Sequence, residues 1–242
     1  MKERVNVVCM KWGTLYSAHY VNVLKAMVAR HLSQPHRFVC FTDDPSGIQK
    51  DIETFPLPDV FVPKPYAISP WRKLGMFAEP LGDLKGKTLF LDLDVVIVDD
   101  LDPFFTYSDT FAIIENWTQL GRGIGNSSVY CFTVGAHKDV LETYQRNTES
   151  VLTSYDNEQV FLSKTIPEIT FWPPQWCQSF KHHCLPKGFR KYIQEPILPE
   201  GCKIVVFHGL PNPPQAIEGG FFEKSLRKYS RPAPWLKKHW CL

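Results

Sequence analysis

The sequence predicts a single α/β domain on a mixed, mainly parallel sheet with helices on both faces. Three observations carry that expectation. Residues 5–10 and 38–41 are short β-rich runs on either side of a helical-period segment, which makes a βαβ unit. Residues 89–91 open a largely apolar stretch and read as a strand buried on both faces. Apolar runs return at 110–114, 129–134 and 203–207, with helical or proline-rich stretches between them.

Composition narrows the function classes. At 242 residues the chain is long enough for one substantial core, and 44% hydrophobic with 21% charged residues is the balance of a globular protein. A formal charge of +2 argues against generic nucleic-acid binding. No stretch has signal-peptide or membrane-span character. The seven cysteines are odd in number and scattered, so they form neither a disulfide framework nor a zinc pattern. Reduced, buried cysteines in a cytoplasmic protein are the expectation.

Taken in order, residues 5–10 should be the first strand, and Lys11-Trp12-Gly13-Thr14 should turn, with Gly13 allowing close backbone approach. Residues 16–32 place Tyr20, Val23, Leu24, Met27 and Val28 near the helical period. The second strand ends in Thr42-Asp43-Asp44-Pro45. Ligands of βαβ units bind at the carboxyl ends of the strands, so Lys11, Trp12, Gly13, Tyr16, Asp43 and Asp44 are candidate ligand contacts. Ordinary turn chemistry is the competing reading of these residues.

After a proline-broken loop, Ser69-Pro70 reads as the cap and first turn of a helix. Arg72 and Lys73 sit early in it, where the helix dipole disfavours cations, so one of them is expected to meet an anion. The next strand leaves the core with Asp92 and Asp94. Residues two apart on a strand share a face, and two carboxylates held together are costly without a cation. Mg²⁺ or Mn²⁺ suits oxygen ligands of this kind. A polar strand end is the alternative.

Two families write a strand this way. Haloacid-dehalogenase-type phosphatases follow the first Asp with x-Asp-Gly, but Val95 stands here where that family has Gly. The run FLDLDVVIVDDLDPFF resembles instead the Asp-x-Asp of metal-dependent nucleotide-sugar glycosyltransferases with the GT-A fold, family 8 in particular. The order of the other segments also resembles that family across residues 1–215, with 216–242 as a basic, aromatic extension.

The resemblance implies a GT-A, Rossmann-like domain that transfers a sugar from a nucleotide-sugar donor, commonly UDP-linked, to a hydroxyl acceptor with retention of configuration. It implies Mn²⁺, with Mg²⁺ as the alternative ion, on Asp92, Asp94 and His208. It assigns donor contacts to Lys73, Asp92, Asn126, Ser127, Ser128 and Gly209, with Ser128 replacing the family's usual Gly. Glu158 and Gln159 match the acid-Gln pair that faces the transferred sugar, and Lys73 joins them as a catalytic candidate. Relatives carry a phosphate-contacting lysine near the His-Gly, where this chain has the uncharged Leu210 and Asn212. Lys187 and Arg190, on the basic loop 181–190, are the expected substitutes. The acceptor would be a glycan, a lipid-linked sugar or a small molecule. Lys224, Arg227, Lys228, Arg231, Lys237 and Lys238 with Phe221, Phe222, Trp235 and Trp240 form a tail suited either to peripheral contact with the inner face of a membrane or to packing on the domain with its charges in water. The alternatives are the phosphatase and a degenerate nucleotide-sugar-binding protein.

Overall fold

The computed structural model describes residues 4–223 and 228–242. Seven strands form the central sheet: β1 (Val5–Lys11), β2 (His36–Thr42), β3 (Glu53–Pro56), β4 (Lys87–Leu91), β6 (Phe111–Glu115), β7 (Gly125–Thr133) and β8 (Ile169–Phe171). Their order is β3-β2-β1-β4-β7-β6-β8. Only β7 runs against its neighbours, so the sheet is mixed and mainly parallel, as expected. Strands β1 and β4 lie side by side, whereas the chain leaves β1 in the other direction, through α1 (Ala18–His31) to β2. This is a topological switch point, where α/β sheets open a crevice beyond the strand ends.

Both faces of the sheet are covered because the strands alternate apolar residues to each side. One cluster takes Val7, Cys9, Leu89, Leu91 and Val129 under α1, through Leu24, Met27 and Val28. The other takes Val8, Met10, Phe90, Ile113 and Tyr130 under the 3-10 turn Pro70–Phe77, α3 (Lys138–Arg146), α4 (Thr148–Ser154) and α5 (Glu158–Thr165). Phe90 stacks on Tyr130 with centroids 4.7 Å apart, a cross-strand aromatic pair at the centre.

The strand at 204–206 departs from expectation. β10 (Ile204–Val206) is not in the main sheet but in a second one, between β5 (Val96–Ile97) and β9 (Cys177–Ser179). The run from Asp92 to Ile97 therefore turns out of the first sheet and into the second, with Val205 opposite Val96. Residues 169–171 and 177–179 are short strands, and Phe180–Cys184 is a single π-helical turn. Residues 70–77 are 3-10 rather than α-helical, and the Ser69 hydroxyl bonds Tyr66 O instead of capping.

The carboxyl-terminal segment is part of the same body. The expected boundary at 215/216 falls inside α6 (Pro213–Glu218). A small pair, β11 (Gly220–Phe221) and β12 (Tyr229–Ser230), follows. Trp240 is buried against Tyr20 at 5.1 Å, Trp235 donates Nε1 to Pro196 O at 2.9 Å, and Arg30 donates to the carbonyls of His239 and Cys241. The two tryptophans offered as membrane contacts are thus spent on packing; Lys224 and Arg227 lie outside the described residues. Among the described residues no helix is long and apolar enough to cross a membrane.

Candidate active site

Four chain segments meet beyond the end of β4, and backbone register puts them there. Asp92 and Asp94 follow β4 directly, and Asp92 N donates to Ser128 O at 2.8 Å. Because β7 is antiparallel, its first residues, Asn126-Ser127-Ser128, lie at the same sheet edge as the last residues of β4. Sequence reasoning left 115–128 outside the sheet, because its glycines and polar residues hide a strand buried on both faces. α5 then points its first turn at β7, with Asn157 capping it by accepting from Val160 N at 3.1 Å. Finally, β10 pairs with β5 and delivers Phe207, His208 and Gly209 beside the acidic turn.

These segments line a cavity of about 600 Å³. Of the sequence-predicted residues, Trp12, Gly13, Tyr16, Lys73, Asp92, Asp94, Asn126, Ser127, Ser128, Glu158, Gln159, His208 and Gly209 are on its wall. Five are not. Lys11 is buried and donates Nζ to Asp44 O, and Asp43 accepts from Gly13 N at 2.9 Å, so Asp43 fixes the β1 turn rather than the cavity wall. Asp44 is exposed and bonds Ser46 N. Lys187 and Arg190 sit on the exposed 3-10 turn Gly188–Tyr192 and its cap. Sequence reasoning missed Leu15 and Ile68, which also line the cavity while 80% and 88% exposed. An apolar side chain among loop residues gives no periodic signal that would have marked them.

Lys73 is the hub. Its ammonium lies 3.1 and 3.2 Å from the two oxygens of Asp92, 3.5 Å from Glu158 Oε1 and 3.1 Å from Ser127 Oγ. Ser127 Oγ in turn donates to Glu158 Oε1 at 2.5 Å. Burial opposes the charge on Lys73, but Asp92 and Glu158 hold its pKa above the ordinary lysine value. The helix-start cation was correctly expected to meet anions, and those present are the chain's own carboxylates.

Asp94 is in the opposite position. It is 6% exposed, and Tyr16 Oη donates to its Oδ2 at 2.7 Å. Burial, with Asp92 close by, pushes its pKa up to about 7. Burial also raises Asp92, against the pull of Lys73. Among the described residues Lys73 is the only lysine or arginine on the cavity wall, facing three carboxyl groups. A buried excess of negative charge of that size fits a divalent cation at Asp92 and Asp94.

His208 is less ready. Its Nε2 shares a 2.7 Å hydrogen bond with Ser179 Oγ, and the ring stacks against Trp117 and His182. Burial and Lys181 push its pKa down to about 4, so the ring is neutral and able to ligate. Among the described residues, however, no three His, Cys, Asp or Glu side chains already converge on a metal position. The acid pair fits the ion as it stands, and His208 would have to exchange Ser179 for it.

Neither a family model nor a curated protein matches the sequence. Solved structures do match. The galactosyltransferase LgtC, in complex with donor and acceptor sugar analogues, superposes with a TM-score of 0.58 at 16% identity, covering 86% of this chain and 88% of its own. The glycosyltransferase GlyE of Streptococcus pneumoniae TIGR4 gives 0.60 at 14% identity, covering 86% of this chain and 56% of its own. The bifunctional glycosyltransferase WbbM gives 0.57 at 14%, covering 88% and 47%. The chain spans about half the length of the last two. With its mixed sheet and its crevice at the end of β4, the chain has the GT-A-type fold that these glycosyltransferases share.

Proposed function

We propose that this protein is a metal-dependent glycosyltransferase that moves a sugar from a nucleotide-sugar donor to a hydroxyl acceptor. The observation that carries the reading is the acid pair Asp92 and Asp94, short of counter-charge, in a 600 Å³ cavity at the sheet switch point. A cavity of that size suits a nucleotide sugar. UDP is the expected nucleotide, by resemblance.

In this reading Asp92 and Asp94, with His208 after reorientation, hold Mn²⁺ or Mg²⁺. When bound, that ion neutralises charge developing on the leaving diphosphate. The rest of the work belongs to the chain. Lys73 ties Asp92 and Glu158 together in one place, and so presets the acidic wall. Ser127 and Glu158 are committed to each other and to Lys73, which makes Glu158 a poor free nucleophile. Gln159 Oε1 accepts only long bonds, 3.4 Å from Asn126 Nδ2 and 3.5 Å from Ser127 N. That oxygen is placed to face positive charge growing on the sugar, yet an amide is a weak nucleophile. We therefore favour same-face displacement. The anomeric carbon–oxygen bond to diphosphate breaks, the acceptor oxygen bonds the same face, and the acceptor proton passes to the departing diphosphate.

A phosphatase is not favoured, because the solved structures that share this fold are glycosyltransferases. The deciding experiment is a thermal-shift screen of nucleotide sugars with and without MnCl₂. A bound donor raises Tm by mass action. The reading expects a shift with at least one nucleotide sugar that needs metal. No shift across UDP-, GDP- and dTDP-sugars would reject it.

A further inference from the structure

The cavity has a strongly acidic wall, so the question is what receives the anionic part of a ligand. Lys187 and Arg190 do not reach it. Lys181 comes much nearer, and the register of the second sheet is the reason. β9 runs parallel to β10 with Ser179 beside Val206, and the same stagger carried two residues on sets Lys181 beside His208. The Lys181 ammonium donates to the carbonyl of His208. It also lies where a Cβ on Gly209 would come within 3.6 Å of it, and Gly209, at φ +70°, has none. His208 and Gly209 are on the cavity wall; Lys181 is not, but its Nζ meets the His208 carbonyl and the open space beside Gly209.

Two features mark this amine as unfinished. Among the described residues it makes no ion pair, and its one hydrogen bond is to a carbonyl, which leaves two N–H groups of the ammonium. It is presented by the π-helical turn Phe180–Cys184, which Ser179 Oγ pins by accepting from His182 N at 3.3 Å. Such turns recur at functional sites.

We infer that Lys181 is the positively charged contact for the diphosphate of the donor, which would lie between Asp92 and Asp94 on one side and the His208–Gly209 lip on the other. This rests on the nucleotide-sugar reading above and adds a residue to it. Gly209 matters to the same contact, because a side chain there would occupy the space the phosphate oxygens need beside Nζ.

The test uses the full chain and two probes, UDP and inorganic pyrophosphate, each titrated calorimetrically in MnCl₂. Pyrophosphate carries the recognised group without base or sugar. Lys181→Met should weaken both probes by about tenfold or more, the usual loss for a charge-assisted contact. Lys181→Arg should stay within a few-fold of the parent, and Lys187→Ala should match it. A second measurement needs no variant. Pyrophosphate with Mn²⁺ should shield Lys181, and not Lys187, from an amine-acetylating reagent, as read by peptide mass spectrometry. Parent-like affinity in a folded Lys181→Met, or unchanged labelling of Lys181, overturns the inference and leaves the glycosyltransferase reading standing. Failure of the unmodified protein to bind either probe in MnCl₂ also overturns the inference, and the nucleotide-sugar screen then decides the wider reading.

Discussion

Asp94→Asn should make the metal-free protein more stable at pH 8 while destroying its response to Mn²⁺. Asp94 is 6% exposed, and its pKa is raised from 3.8 to about 7. Between those values the native state binds the extra proton, so stability falls as pH rises from about 4 to about 7 and stays low above. Roughly three pH units at about 1.4 kcal/mol each set a ceiling near 4 kcal/mol. The neighbouring Asp92 shares the titration, so about half of that, ~2 kcal/mol, is the working expectation. Asparagine keeps the shape and can still accept from Tyr16, but carries no charge. A gain of ~2 kcal/mol corresponds to about 4–8 °C in Tm for a domain of this size. Urea unfolding in EDTA at pH 8 and at pH 4.5 measures it directly. The variant should gain at pH 8 and little at pH 4.5, where parent Asp94 is already protonated. Equal stability at pH 8, or an equal gain at both pH values, would refute the charge argument.

Lys73→Met leaves Asp92 and Glu158 buried without their cation and should cost about 3–5 kcal/mol at neutral pH, seen as a lower urea midpoint. Adding Glu158→Gln to that variant should recover part of the loss; if it recovers nothing, the two do not share an ion pair. Tyr16→Phe removes a hydrogen bond to the ionised form of Asp94, so it should move Mn²⁺ binding to higher pH, with the calorimetric pH profile as readout. Gln159→Ala should lower kcat far more than it raises KM, because its amide oxygen would act on charge that appears only in the transition state. A loss confined to KM would make Gln159 an ordinary donor contact.

Much of this site can be read in the sequence because it is written locally. Asp92 and Asp94 interrupt an apolar strand, and a strand's period of two is enough to place both on one face. Lys73 announces itself as a cation in an unfavourable helical position. What cannot be read there is pairing between distant segments. Lys181 and His208 are brought together only by the parallel register of β9 and β10, and β9 is three residues long and carries no alternation. The sequence is basic around Lys187 and Arg190, but the fold leaves both off the cavity wall. The aromatic-basic pattern around Trp235 and Trp240 fits a packed tail as well as a membrane-facing one, and the fold takes the packed form. Asn126-Ser127-Ser128 shows a third limit. A polar, glycine-preceded segment reads as loop unless one knows that β4 waits beside it.

Transfer itself is the central claim, and nucleoside diphosphate release is its most direct measure. The purified chain is incubated with each of a panel of nucleotide sugars, in MnCl₂ or EDTA, with mixed mono- and disaccharide acceptors, and the liberated nucleotide is quantified by chromatography. The account predicts metal-dependent release of nucleoside diphosphate from one donor, abolished in Asp94→Asn although that variant is the more stable protein. Release of inorganic phosphate instead, or equal release by Asp94→Asn, would contradict it.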